Sequence, residues 1–413
     1  MNINNKEETS SLYRFIPFRK QDIAQMCLDD KKLPGQEKEF LKLSEMISSI
    51  FHFEFHQVVE ALKNSYAPVD PDADTRRIDK QESFTTLKFV ELLGGLLEKA
   101  NYERISENEL NQALTESSMF KIRLHVDFDA FSEVLLFCRG VSQREETLTS
   151  LFGLYKKKIS FINYDRVVLY IRFKDDLDLT LSASGDYRSG AAILKLFQNV
   201  PRADLEMLFP NTAVRMRLID KLLIGVPALV SGGVVLTTKL GASLVLLGSM
   251  FGFWLGLSAE PVEFNKAAIT ALLAGVVALG GYLWKQFNNF KNRKLRFMQA
   301  LTQNLYFKNL DNNAGVFHRL TNDAEEEECK EALLAYYFLL TSDKPLTRQE
   351  LDSCIESWLS DTWKCKVDFE IHDAMNKLLT LQLVTEKDGL LSAVSIVKGL
   401  KVLDKRWDDY FVT

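Results

Sequence analysis

Cysteine is scarce in this sequence, and its few cysteines do not pair. Five occur in 413 residues, at Cys27, Cys138, Cys329, Cys354 and Cys365. The number is odd, no two stand at C-x-x-C spacing, and no histidine pair accompanies Cys354 and Cys365 at zinc-finger spacing. This argues against a disulfide framework and a structural zinc site, and for reduced thiols on a cytosol-facing chain. Also missing are a Gly-rich phosphate loop, a G-x-S-x-G elbow and a nucleophile triad, so the common hydrolase and nucleotidase signatures have no support. The start, MNINNKEETSS, has no apolar core and carries acidic residues, so neither a secretory signal nor a transit peptide is read there. A strong net charge is lacking too: the formal value is −5, which argues against a general nucleic-acid binder. With 46% hydrophobic and 26% charged residues the chain is neither disordered nor collagen-like.

The mean hydropathy of −0.08 averages over unlike parts. Residues 1–220 carry net −4, residues 221–320 net +7 and residues 321–413 net −8. The basic middle is also the apolar part. Residues 240–259, LGASLVLLGSMFGFWLGLSA, and 267–284, AAITALLAGVVALGGYLW, contain no charge. As helices they extend about 30 Å and about 27 Å, near the thickness of a bilayer's hydrocarbon core. The connection through Glu260, Pro261 and Glu263 suits a turn in water, and the pair reads as a transmembrane helical hairpin. A third stretch, 222–238, holds Gly225, Pro227, Gly232 and Gly233, ends at Lys239, and reads as interfacial or re-entrant. Basic residues flank the region on both sides: Arg215, Arg217 and Lys221 before it, and Lys285, Lys291, Arg293, Lys294 and Arg296 after it. Positive flanks stay cytoplasmic, which favours two crossings, and the second group suits anionic lipid headgroups. Gly248, Gly252 and Gly256, with Ala267, Ala271 and Gly275, form two small-residue stripes that would let helices pack closely, within the hairpin or between copies of the chain.

The flanking parts read as mixed helix and sheet. Helical periodicity covers 38–64, with Leu43, Ile47, Ile50, Phe51, Val58 and Leu62 mostly on one face. Further helices are predicted at 84–99, 107–115, 189–198 and 202–208, and strands at 121–126, 132–138, 156–162 and 165–173. In the C-terminal part, Asn322 with Glu325 and Thr347 with Glu350 resemble capping boxes, and the run Glu325–Glu328 then stabilises a first turn. A helix at 368–381, a hairpin turning at Asp388-Gly389 and a helix at 396–409 complete the order of a winged-helix domain. Its third helix starts with Asp368, Glu370 and Asp373 and carries Lys377 as its only cation, so it is read as a protein-contact element and not as a nucleic-acid reader.

Two constellations are candidate metal sites. His52 and His56 stand four apart on one helix face, but Phe53 occupies the place where a zincin motif has glutamate. Asp70, Asp72 and Asp74 alternate as hard-cation ligands do, yet Thr75 and Gln81 stand where a calcium loop needs glycine and glutamate, which makes a solvated turn the preferred reading.

Five phrases resemble one known family: YRFIPFRKQDI (13–23), YAPVDPDAD (66–74), YDRVVLYIRF (164–173), LKLFQNVPRADLEMLFP (194–210) and KEALLAYYFLL (330–340). They resemble the family typified by transmembrane protein 143, defined by a domain of unknown function. The resemblance implies a membrane-anchored protein with two spans between soluble parts, and it brings no catalytic residues. Animal members are associated with mitochondria; without a transit peptide, a bacterial inner membrane with both termini cytoplasmic is expected here. The expected fold is an α+β membrane protein, with an α+β domain over 1–220, a membrane segment over 221–300 and a winged-helix-like acidic domain over 321–413. The expected function is a non-enzymatic adaptor or scaffold, with no cofactor and no nucleic acid. Its partners would be the lipid bilayer, other proteins and a second copy of the chain. The alternatives are an oligomeric channel or pore, and a metal-dependent membrane enzyme using His52, His56 or the Asp70–Asp74 loop.

Overall fold

A computed structural model describes residues 13–75, 85–115, 123–150, 155–176, 189–210, 212–215, 241–256 and 266–411. Along the chain run α1 (Lys20–Asp29), α2 (Glu37–Tyr66), α3 (Thr86–Lys99), β1 (Glu103–Arg104), α4 (Glu107–Thr115), β2 (Arg123–Val126), β3 (Phe131–Ser150), β4 (Tyr155–Phe173), β5 (Ala192–Pro201) and β6 (Thr212–Arg215). Then follow α5 (Gly241–Trp254), α6 (Lys266–Lys308), β7 (Asn309–Asn312), α7 (Ala314–Leu340), α8 (Arg348–Trp363), α9 (Ile371–Thr380), β8 (Val384–Lys387), β9 (Leu390–Ala393) and α10 (Ile396–Asp409). Contacts divide the chain into two compact units. Residues 1–117, 127–211 and 308–413 make the first, and 118–126 with 212–307 make the second.

In the first unit an antiparallel sheet of order β1-β3-β4-β5-β7 packs against helices. The helix α2 buries Phe40, Leu43, Ile47, Ile50, Phe55, Leu62 and Tyr66 at steps that return to one face, as its sequence period dictates. In β4 every residue from Val167 to Ile171 is fully buried, so the strand lies in the middle of the core with both faces covered. The predicted strands at 156–162 and 165–173 are one strand, β4. The predicted helix at 189–198 is instead the strand β5. Its apolar positions fit a helical face and a buried strand alike, and pairing with β4 from Tyr164↔Val200 to Arg172↔Ala192 decides the matter. Residues 202–208 form a 3-10 helix.

Strands β3 and β4 stay paired far past the sheet. Their register runs from Phe131↔Phe173, with an irregularity before Glu133, to Ser150↔Tyr155, whereas β5 covers β4 only from Asn163 to Arg172. The outer half is a two-stranded ribbon. Gly140, with φ of +71°, sits where the ribbon leaves the sheet, and a Cβ there would collide with the Asp165 carboxylate.

The C-terminal elements stand where the sequence predicts them, and the Thr347–Glu350 capping box forms with both bonds. They are not a unit of their own, because α7 is shared: it packs against α1, α2 and α3 as well as α8, α9 and β9. The start of α7 also differs from expectation. Its N-cap is Asn313, not Asn322, so Glu325–Glu328 lie inside the helix, and Glu325, Glu327 and Glu328 are buried. All five cysteines are free thiols, and four are buried.

The second unit holds the two-stranded sheet β2–β6 and the helices α5 and α6. Among the described residues no helix is long and apolar enough to cross a membrane, which corrects the expected transmembrane hairpin over 240–259 and 267–284. The helix α5 stops at Trp254 after 14 residues, about 21 Å. The uncharged start of α6 gives about 27 Å, and the same helix then runs on through Lys285, Lys291, Arg293, Lys294 and Arg296. The length of α5 falls well short of the roughly 30 Å of a bilayer's hydrocarbon core. The stretch 222–238 and the turn at 260–265 lie outside the described residues.

Candidate functional site

The sequence Asp323-Ala-Glu-Glu-Glu-Glu-Cys-Lys-Glu331 runs through the middle of α7. A helix turns about 100° per residue, so successive acids point to different sides and each meets a different partner. Glu327, with no exposed surface, accepts from Arg139 at 2.8 Å, Lys330 at 2.9 Å and the Ile16 backbone N–H at 3.1 Å. Lys330 also donates to the Ile16 carbonyl at 2.6 Å. The Arg139 guanidinium lies 4.5 Å from the Phe15 ring centre. Together these contacts hold Phe15 and Ile16 beside α7. On another side, Lys377 of α9 reaches Glu331 at 2.7 Å, Asp373 at 2.8 Å and Glu328 at 3.2 Å.

Three carboxylates around one buried ammonium leave excess negative charge, and two of them, Glu328 and Glu331, are buried while Asp373 reaches solvent. Burial pushes the Glu331 carboxyl up to about 7, against the pull of Lys377, and raises Glu328 for the same reason. Among the described residues Glu328 Oε1 has no hydrogen-bond partner. Burial opposes the charge on Lys377 as well, but Glu331, Glu328 and Asp373 outweigh it and the ammonium is held firmly protonated.

The third side of the acidic run opens onto a cleft of about 510 Å³ between α1, α2, α7 and α10. Glu325 is its acid. Its Oε1 takes Lys20 Nζ at 2.7 Å and its Oε2 takes His52 Nδ1 at 2.9 Å. Each of its oxygens thus has a partner, and the His52 ring is held by one nitrogen with its side chain 75% exposed. His56 stands one turn further along α2 and lines the same cleft. Phe53 and Trp407 meet edge to face at 6.0 Å and form the apolar wall. Ser48 and Ser49 lie on the floor, but neither is held as a nucleophile. Ser48 bonds the buried Cys329 thiol and Ser49 donates to the Glu45 carbonyl.

The remaining predicted residues are placed as follows. Asp70 accepts from the Asp72 backbone N–H at 3.0 Å, and Asp72 takes the side chain of Asn313 at the start of α7. Asp74 is exposed. Asp70 and Asp72 build a turn that fastens α7, and among the described residues no group of three or more His, Cys, Asp or Glu is arranged to hold a metal. In α5, a Cβ added at Gly248 or Gly252 would meet nothing within 4 Å among the described residues, and Gly256 takes a φ of +74° just past the helix end. Gly275 is buried; the side chains of Ala267 and Ala271 lie outside the described set. Lys285 and Lys291 are exposed on α6, while the side chains of Arg293, Lys294 and Arg296 lie outside the described set. Lys20, Glu325 and Lys377 are the functional groups the sequence reading misses as partners, because they stand 305 and 46 residues from the groups they meet.

Residues 164–315 match the model of a family described as a protein of unknown function (DUF3754). No solved structure matches the chain. The matched segment runs from the inner half of β4 to the first residues of α7. It takes in α5 and α6 but none of the residues that line the cleft.

Proposed function

We propose that the protein works at a membrane surface, with its second unit seated in the headgroup and upper acyl region of an anionic bilayer and its first unit serving as a non-enzymatic adaptor. The observation that carries this reading is the surface of α5 and α6. Trp254 is 82% exposed, Val277 72% and Trp284 68%, and Val245, Leu255, Leu273, Leu283 and Phe287 are exposed with them. Along α6, Gly275 is buried and Ala278, Tyr282 and Gln286 are half-buried at spacings of three, four and four, so one narrow stripe is covered. An apolar surface on this scale calls for an occupant. Its chemistry favours lipid over protein: exposed Trp284 adjoins the exposed Lys285 on α6, with the exposed Lys291 further along the same helix, in a region of net charge +7. Aromatic rings settle at headgroup level, and each lysine near an anionic surface gains about 1 kcal/mol. The resemblance to the transmembrane protein 143 family points the same way.

Flotation of the full chain with lipid vesicles tests this. The chain is expected to float with vesicles of phosphatidylcholine and phosphatidylglycerol, and less with phosphatidylcholine alone. The double variant Lys285→Glu, Lys291→Glu is expected to lose much of the difference. A chain that floats with neither vesicle sinks the reading. Equal flotation with both removes the headgroup role of the lysines.

A further inference from the structure

We propose that the cleft between α1, α2, α7 and α10 binds a phosphate carried on a planar ring, a ligand of the nucleoside monophosphate class. The charge balance of the lining comes first. Glu325 is the acid that lines the cleft, and each of its oxygens is taken, one by Lys20 and the other by His52. The neighbouring Glu326 is engaged by the Lys20 backbone N–H at 3.0 Å. What faces the opening is therefore basic: the Lys20 ammonium, the His56 ring and the second nitrogen of His52, which donates in the imidazolium form, while the Ser48 and Ser49 hydroxyls are already engaged by the Cys329 thiol and the Glu45 carbonyl. Lys20 keeps its charge, since its acidic neighbours outweigh the opposing effect of burial.

Spacing chooses phosphate over carboxylate. His52 and His56 stand one helical turn apart, about 5–6 Å, with Lys20 entering from a different helix. Three oxygens can answer donors arriving from three directions, whereas a carboxylate offers two oxygens in one plane. The ring half of the ligand follows from the opposite wall. Trp407 and Phe53 present aromatic surface to the same hollow, and Trp407 is 37% exposed, so a flat ring has a face to stack on. A hollow of about 510 Å³ lies within the range that takes a ligand of this size. His52 is fixed by Glu325 before any ligand arrives, which lowers the cost of ordering on binding.

Calorimetric titration of the full chain with adenosine monophosphate tests the proposal. One saturable site is expected, with adenosine and with inorganic phosphate each at least about tenfold weaker, since each supplies half of the contacts. His56→Gln and Trp407→Leu are each expected to weaken the nucleotide about fivefold or more at an unchanged melting temperature. His56 is exposed, so that variant stays interpretable even if the tryptophan change disturbs the fold. The absence of saturable heat with adenosine monophosphate at about 1 mM overturns the proposal. So does a folded His56→Gln chain that binds as the parent does. Inorganic phosphate binding as tightly as the nucleotide overturns it too, because the ring then has no seat. None of these outcomes depends on vesicle binding.

Discussion

In α6, of the second unit, leucine, valine and tryptophan side chains face outward; in α7, of the first, glutamates and a lysine face inward. The two helices invert the ordinary arrangement in opposite senses. Each inversion has a physical condition. Charges stay in the core of the first unit because nearly every one meets an opposite charge within about 3 Å, which offsets desolvation that would otherwise cost several kcal/mol per ion. Apolar side chains of α6 such as Val277 and Trp284 stay on the surface, uncovered among the described residues. The first condition is met inside the chain, and the second calls for something outside it. Position relative to water, and not hydropathy alone, separates a structural helix from an interacting one.

The comparison can be broken most directly at Glu327. Glu327→Ala leaves Lys330 and Arg139 in the core without their shared carboxylate, and is expected to cost about 3–5 kcal/mol in a urea unfolding experiment. A loss below about 1 kcal/mol would mean that the buried ions find other partners. Glu331→Gln comes next and acts through pH. The folded-state pKa of Glu331 is pushed up by burial to about 7, from the ordinary glutamate value of about 4.5. The folded state therefore prefers the protonated form, and this contribution is complete below about pH 4.5 and lost as pH rises through about 7. Across that window the parent chain is expected to lose stability relative to the variant by an amount on the order of 3 kcal/mol. Melting temperatures of the two chains between pH 5 and pH 8 should diverge, and parallel curves would show that Glu331 does not titrate there. Thr347→Ala removes the cap of α8 and is expected to cost about 1 kcal/mol by the same unfolding measurement. The smallest effect is expected on α6. Val277→Ser should change stability by less than about 0.5 kcal/mol, while lowering flotation with anionic vesicles. A large loss of stability there would place Val277 in a protein core and remove the contrast.

Most of the elements of the first unit could be read from local pattern, since α2, α3 and the capped helix α8 each obey a period or a cap signal. Pattern failed at β5, where buried apolar residues satisfy two periods at once and only the neighbouring strands choose between them. It failed at α7 for the opposite reason. An acidic run after Asn322 has the form of a helix start, and nothing local reveals that Arg139, Lys330 and Lys377 will meet those acids inside the core. The cleft was half legible. His52 and His56 announce themselves by spacing, but Glu325, which holds one of them, is 273 residues away. Lys377 stood out as a lone cation among acids on its own helix, and the fold turns that oddity into a hub for carboxylates on two helices.

The ribbon formed by the outer halves of β3 and β4 offers an experimental handle. Among the described residues its backbone pairs only within the ribbon beyond Asn163, so a change at its far end removes no bond to β5. A protease site or a fluorescent reporter inserted there would leave α7 and the cleft undisturbed. It would turn the arm into a place from which to watch the protein, or to tether it.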